Sequence, residues 1–348
     1  MRRIVAGVAL GLIGFLIAAE ALFRILPVST ATLTGYRIDP AILNYPPHHT
    51  WRSATGWDLR NAQTLRSNNL GFVSDHDFIP DSAAVALIGD SFVEASMLPA
   101  SERPGPQLER QLGGARAIYA MGGPGSSLLD YAERIRYAHQ ALRVRDFVLL
   151  MESGDVRQSL CGSGNVHSAC LERKTLALRA QVVETEPSTL KRWLRHSSLA
   201  QYLFSQIRVD AEKLLSATFT RSIPSHAGDR PNLKSGPSTL PAEAERRVDA
   251  VTAAFFERVA PFVHGGRLVI VVDGNRLGGP ALGRDVLLER ARFIESARAA
   301  GATVVDAEPR YAKHAQQSRL SLSVGPYDGH LNALGVRIAM TAAAEALQ

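Results

Sequence analysis

Apolar residues fall along the chain in two rhythms. Short, unbroken apolar runs alternate with longer stretches in which apolar residues recur every three or four positions. The runs are AAVALIG (83–89), ARAIYAM (115–121), RDFVLLMES (145–153), RLVIVVDG (267–274) and ATVVDAE (302–308). Each has the length and composition of a strand buried on both faces. The helical spacing predicts a short helix within RPGPQLERQL, then helices near 126–142, 242–260, 284–299 and 331–346. Such alternation implies an α/β fold, a three-layer α/β/α sandwich with about five parallel strands. Ligands of these sheets bind at the carboxyl ends of the strands.

Three stretches interrupt the rhythm. At the start, MRR precedes an uncharged, mostly apolar run from Ile4 to Ala19, and apolar character resumes after Glu20 as far as Leu26. That length predicts a membrane-spanning helix, with Glu20 and Arg24 near the outer interface. Arg2 and Arg3 would stay in the cytoplasm, which places the rest of the chain outside. Signal cleavage at AEA (19–21), giving a secreted protein, is the alternative; the acidic middle residue and the continuing LFRIL favour an uncleaved anchor. Residues 28–80, with YPPHHT and SNNLGF, read as an extended, turn-rich leader. Residues 81–348 read as the main domain, carrying a helical insertion at about 156–240. Within that insertion Trp193, Tyr202 and Phe204 fit the apolar face of a helix, and SIPSHAGDRPNLKSGPSTLP reads as a linker.

The net charge is +6, and 34 of the 39 basic residues are Arg, scattered without a basic run. Solvated helix faces explain them, and no nucleic-acid partner is expected. GGPG (122–125) lacks the third glycine and the acidic partner of a dinucleotide site, so no such cofactor is expected. His48 and His49 have no carboxylate at ligand spacing, and His167 stands alone between Cys161 and Cys170, so no metal is expected either. The two cysteines flank GSGNVHSA, and an oxidising compartment would let them pair as a disulfide.

Candidate chemistry gathers where strands end. Ser91 follows the first strand, a glycine loop (AMGGPGSS) the second, and MESGDVRQ the third; GPYDGHLNALG precedes the last helix. A nucleophilic serine needs a base, an orienting acid and donors for the oxyanion. Ser91 would supply the nucleophile, His330 the base and Asp328 the orienting acid, in the division of labour of a serine triad. Asp273 also lies on this edge, with no role assigned by the sequence.

These motifs, GDS at 89–91, GGPG at 122–125 and DGHLNALG at 328–335, resemble the SGNH or GDSL hydrolase superfamily. SNNLGF and the N-terminal anchor are similar to a bacterial membrane-tethered branch of it. The resemblance implies a flavodoxin-like sheet, Ser91 as nucleophile, His330 as base and Asp328 as orienting acid. It also implies an oxyanion hole from the N–H groups of Ser91 and Gly125. The expected substrate is a short acyl, chiefly acetyl, ester of an envelope glycan or a related small ester, hydrolysed or transferred. Two departures stand out. The third block, usually Gly-x-Asn-Asp, reads ESGD, so the oxyanion Asn position falls on Gly154. Asp328 lies two residues before His330 rather than three, the third position being Tyr327. With one donor withdrawn, the chain is a slower hydrolase, a hydrolase drawing a donor from elsewhere, such as Asn165, or a non-catalytic glycan-binding or scaffold protein.

Overall fold

The computed structural model describes residues 1–163, 168–180, 189–207 and 239–348. Asn165, His167 and nearly all of the 222–241 linker lie outside these residues. The chain forms two compact units: Met1–Thr32, Thr50–Leu65 and Thr185–Asp229 in one, Leu33–His49, Arg66–Glu184 and Arg230–Gln348 in the other.

The larger unit is built on five parallel strands, β3 (Val85–Gly89), β4 (Ile118–Gly122), β5 (Asp146–Met151), β8 (Leu268–Val272) and β9 (Thr303–Asp306). Their order across the sheet is β4-β3-β5-β8-β9, with β3 paired to both β4 and β5. All five residues of β3 are buried because alternate side chains serve opposite layers. Ala86 and Ile88 join a core formed with α4 (Leu128–Leu142), α8 (Ala242–Val263) and α9 (Arg284–Ala299). Val85 and Leu87 join the other, formed with α3 (Pro104–Gln111), α10 (Glu308–Gln317) and α11 (Ala333–Leu347). Thus the structure is the three-layer sandwich expected from the alternation. Two short strands, β6 (Ala169–Leu171) and β7 (Leu178–Ala180), pair antiparallel beyond α5 (Asp155–Gln158). Cys161 and Cys170 are disulfide-bonded, with Cα atoms 5.0 Å apart.

The smaller unit contains α1 (Arg2–Ile25), none of whose residues is buried and whose most apolar 18-residue stretch, with a mean hydropathy of 2.2, is apolar enough for a membrane span. It also holds a two-stranded sheet, β1 (Thr50–Thr55) with β2 (Arg60–Arg66), in a stretch whose sequence predicts only extended leader. The insertion contributes α6 (Thr189–Leu194), α7 (Ser198–Gln201) and a π-helical turn, Tyr202–Gln206. These breaks shift the helical phase, so Trp193, Tyr202 and Phe204 do not share one buried face. Tyr202 stacks on Phe23 at 4.3 Å between ring centroids, whereas Trp193 and Phe204 are exposed.

Candidate active site

Gly89 ends β3 because a Cβ there would fall 2.6 Å from the Leu150 carbonyl oxygen. The chain then turns into α2 (Ser91–Glu94), for which Asp90 is the N-cap, its carboxylate accepting the Phe92 N–H at 2.8 Å. That bond uses Asp90 Oδ1, and the next hydroxyl, Ser91, at the sheet edge, donates to Asp90 Oδ2 at 3.4 Å.

The partner arrives from the far end of the chain. Asn332 caps α11, accepting from the N–H groups of Leu334 and Gly335, and also donates to the Ser321 carbonyl. With α11 packed in the core beside Val85 and Leu87, the turn preceding it stands at the end of β3. His330 Nε2 lies 2.8 Å from Ser91 Oγ, and His330 Nδ1 lies 2.5 Å from Asp328 Oδ1. The same Asp328 oxygen accepts the His330 backbone N–H at 2.9 Å, so the two-residue spacing closes a tight turn that still presents the carboxylate to the ring. Burial alone depresses the His330 pKa, but the Asp328 hydrogen bond and charge, with Asp90 adding, outweigh it and set the imidazole above its usual value. Burial raises Asp328, and His330 more than offsets that, leaving the carboxyl below its usual range.

Arg276, which the sequence reading passes over, organises this turn. Its guanidinium pairs with buried Asp273, donates to the Gly329 carbonyl and to Ser323 Oγ, and lies 5.5 Å from the centroid of the Phe92 ring. Phe92 in turn packs 4.9 Å from the His330 ring. Asp273 thereby gains a role as the anchor of Arg276. Its only signal in the sequence is an acid at a strand end with Arg three residues later, a weak one among 34 arginines.

Among the described residues, no hydrogen-bond acceptor engages the N–H of Ser91 or of Gly125, the latter held at φ +77° in the loop after β4. Gly154 differs. Its backbone is right-handed (φ −91°), and its N–H donates to the Glu152 carboxylate at 2.6 Å. A Cβ on Gly154 would lie 2.6 Å from that same Glu152 oxygen, so Glu152 fills the space that an Asn side chain would enter. Asp155 is buried, accepting from Tyr131 OH at 3.0 Å and the Glu152 N–H at 2.9 Å. Desolvation, then the charge of Asp90, raises the pKa of Asp155; desolvation also raises Glu152. Behind Ser91, burial pushes Glu94 up to about 7 even though Tyr45 OH donates to it at 2.5 Å. Among the described residues no group of three or more His, Cys, Asp or Glu side chains is arranged to hold a metal ion.

A five-stranded parallel sheet with Ser, His and Asp meeting at its carboxyl edge is the arrangement implied by the resemblance to SGNH/GDSL hydrolases. Solved structures similar to this chain include an alpha/beta hydrolase enzyme from the metagenome of Lake Arreo, 13% identical, covering 78% of this chain and 96% of its own, with a TM-score of 0.41. A member of the lipolytic G-D-S-L family from Veillonella parvula is 11% identical, with 75% and 96% covered and a TM-score of 0.39. A carbohydrate acetylesterase from Sinorhizobium meliloti is also 11% identical over 75% and 96%, with a TM-score of 0.37. No family model and no curated protein matches the chain.

Proposed function

We propose that the protein is a serine esterase or O-acyltransferase acting on a short acyl, chiefly acetyl, ester of an envelope glycan. The observation that carries this reading is the unbroken line from Ser91 Oγ to His330 to Asp328. In the first step Ser91 Oγ attacks the ester carbon while His330 Nε2 takes its proton. Asp328 holds the other ring nitrogen and stabilises the imidazolium. The carbonyl oxygen, now negative, accepts from the N–H groups of Ser91 and Gly125. Collapse expels the alcohol, which takes the proton from His330, and leaves Ser91 acylated. Water completes hydrolysis by the same route, or a glycan hydroxyl completes transfer. With α1 as a single-pass inner-membrane anchor and its basic end in the cytoplasm, this chemistry falls in the periplasm, where a disulfide between Cys161 and Cys170 persists.

The second reading is a non-catalytic glycan-binding protein. The commitment of the Gly154 N–H to Glu152 favours it, because the oxyanion is then left with two donors. Turnover of p-nitrophenyl acetate by the full chain, beside Ser91→Ala, separates the two. Turnover that disappears in the variant supports the enzyme, and equal background in both supports the binding protein.

A further inference from the structure

Between Arg3 and Arg24 the first helix carries one charged residue, Glu20, and the smaller unit is assembled around it. One carboxylate oxygen accepts from the Ser198 N–H at 3.0 Å and from Arg24 Nε at 2.8 Å. The other accepts from the Ser197 hydroxyl at 2.8 Å and the Leu199 N–H at 3.0 Å. One turn further on, Phe23 stacks on Tyr202, whose hydroxyl donates to the Trp57 carbonyl at 2.7 Å. The Gln206 amide donates to the carbonyls of Ala54 and Gly56. Residues 196–207 are therefore fastened both to the last turns of α1 and to the β1–β2 pair.

The depth of these contacts follows from helix geometry. An apolar bilayer core takes about 20 helical residues, which from Ile4 ends near Phe23. Contacts at Glu20, Phe23 and Arg24 then fall where acyl chains give way to headgroups. The same unit exposes large apolar side chains: Trp193 at 74%, Trp57 at 63%, Phe204 at 47% and Ile207 at 42%. In water such a group is costly. At a membrane interface Trp is favoured, and basic side chains such as Arg192 and Arg195 are drawn to anionic headgroups.

We infer that this unit is seated in the bilayer that α1 crosses: Trp57, Trp193, Phe204 and Ile207 enter the headgroup boundary at the carboxyl end of the helix, and Glu20 latches them to the anchor. The partner is the lipid surface, phospholipid with an anionic fraction. The inference rests on α1 remaining in the membrane, and the test separates the two claims.

The chain has three tryptophans, and Trp51 is buried at 3% exposure. Full-length single-Trp variants, made by Trp→Phe at the other two positions, are placed in nanodiscs of phosphatidylcholine and phosphatidylglycerol brominated near the headgroup. Trp57 and Trp193 are expected to lose most of their emission to the brominated lipid while Trp51 keeps most of its own. Glu20→Ala is expected to restore Trp193 emission while the chain stays in the membrane. Embedded chain whose Trp57 and Trp193 are quenched by aqueous iodide and not by lipid would overturn the seat alone. Concentration-dependent cross-links through Trp193, without lipid quenching, would also overturn it, in favour of a second copy. Recovery of the chain in the soluble fraction would overturn anchor and seat together.

Discussion

The carboxyl ends of β3 and β5 lie side by side in the sheet and use their polar groups in opposite ways. The register that pairs Gly89 with Leu150, carried two residues further, sets Ser91 level with Glu152. After β3, one Asp90 oxygen caps the backbone and the other accepts from the Ser91 hydroxyl at 3.4 Å, while that hydroxyl lies 2.8 Å from a side chain more than two hundred residues away. After β5 the polar groups turn inward: Glu152 holds the Gly154 N–H, and Asp155 is buried against Tyr131. On the proposed reading, attack and proton transfer are fully equipped, while charge stabilisation on the oxyanion rests on two backbone donors. The difference suits slow turnover, or transfer to a well-held acceptor, better than rapid hydrolysis.

The largest expected effect tests the β3 side. Ser91→Ala should lower kcat by roughly 10⁴-fold or more, with unchanged circular dichroism, because the nucleophile itself is removed. Next comes the clamp on the histidine turn. Arg276→Met removes the partner of buried Asp273, and loss of one member of such a pair costs about 3–5 kcal/mol. Thermal unfolding should show that loss, and kcat should fall by about 100-fold in the fraction still folded, as a reacting group shifted by about 1 Å would produce. Full activity in Arg276→Met would mean that the turn stands without its clamp.

Protonation gives a third test. His330 must be neutral to take the Ser91 proton, and its pKa is raised above the usual histidine value. The value of kcat/KM should therefore fall on the acid side with a midpoint above 6.5, rather than below it. In Asp328→Asn the leading upward causes are gone, so the residual activity should have its acid limb at lower pH. A midpoint that does not move would detach Asp328 from the base.

Much of this arrangement was legible in the sequence, for a physical reason. Strands buried on both faces must be continuously apolar, so β3, β4, β5 and β8 stand out, while β9 at the sheet edge is only half-buried; three of the candidate motifs sit where such runs stop. Other parts follow no apolar rhythm. In β1 and β2 only Trp51 and Leu65 are buried, so no alternation marks the pair. Helix α10 buries only Tyr311, so no apolar rhythm marks it, although Asp306 accepting the Glu308 N–H marks its start. Arg276 acts through tertiary contacts to Gly329 and Ser323, which no local spacing reveals. The glycine at 154 was visible, but the folding back of Glu152 onto it was not.

The smallest effect sharpens the β5 side. The backbone at Gly154 accepts an L-residue, and the group in the way is the mobile end of Glu152. Gly154→Asn should displace that carboxylate and add a donor, raising kcat on p-nitrophenyl acetate by about tenfold, toward the larger factor lost when such a donor is removed. An unchanged kcat in a folded variant would mean that position 154 does not face the oxyanion.

The central claim is that Ser91 is a nucleophile activated by His330, and the most direct measurement is the intact mass of the full chain after exposure to a fluorophosphonate. One adduct is expected, mapped to Ser91 by peptide mass spectrometry, absent in Ser91→Ala and strongly slowed in His330→Ala. An unlabelled chain, an adduct on another residue, or labelling of equal rate in His330→Ala would contradict it.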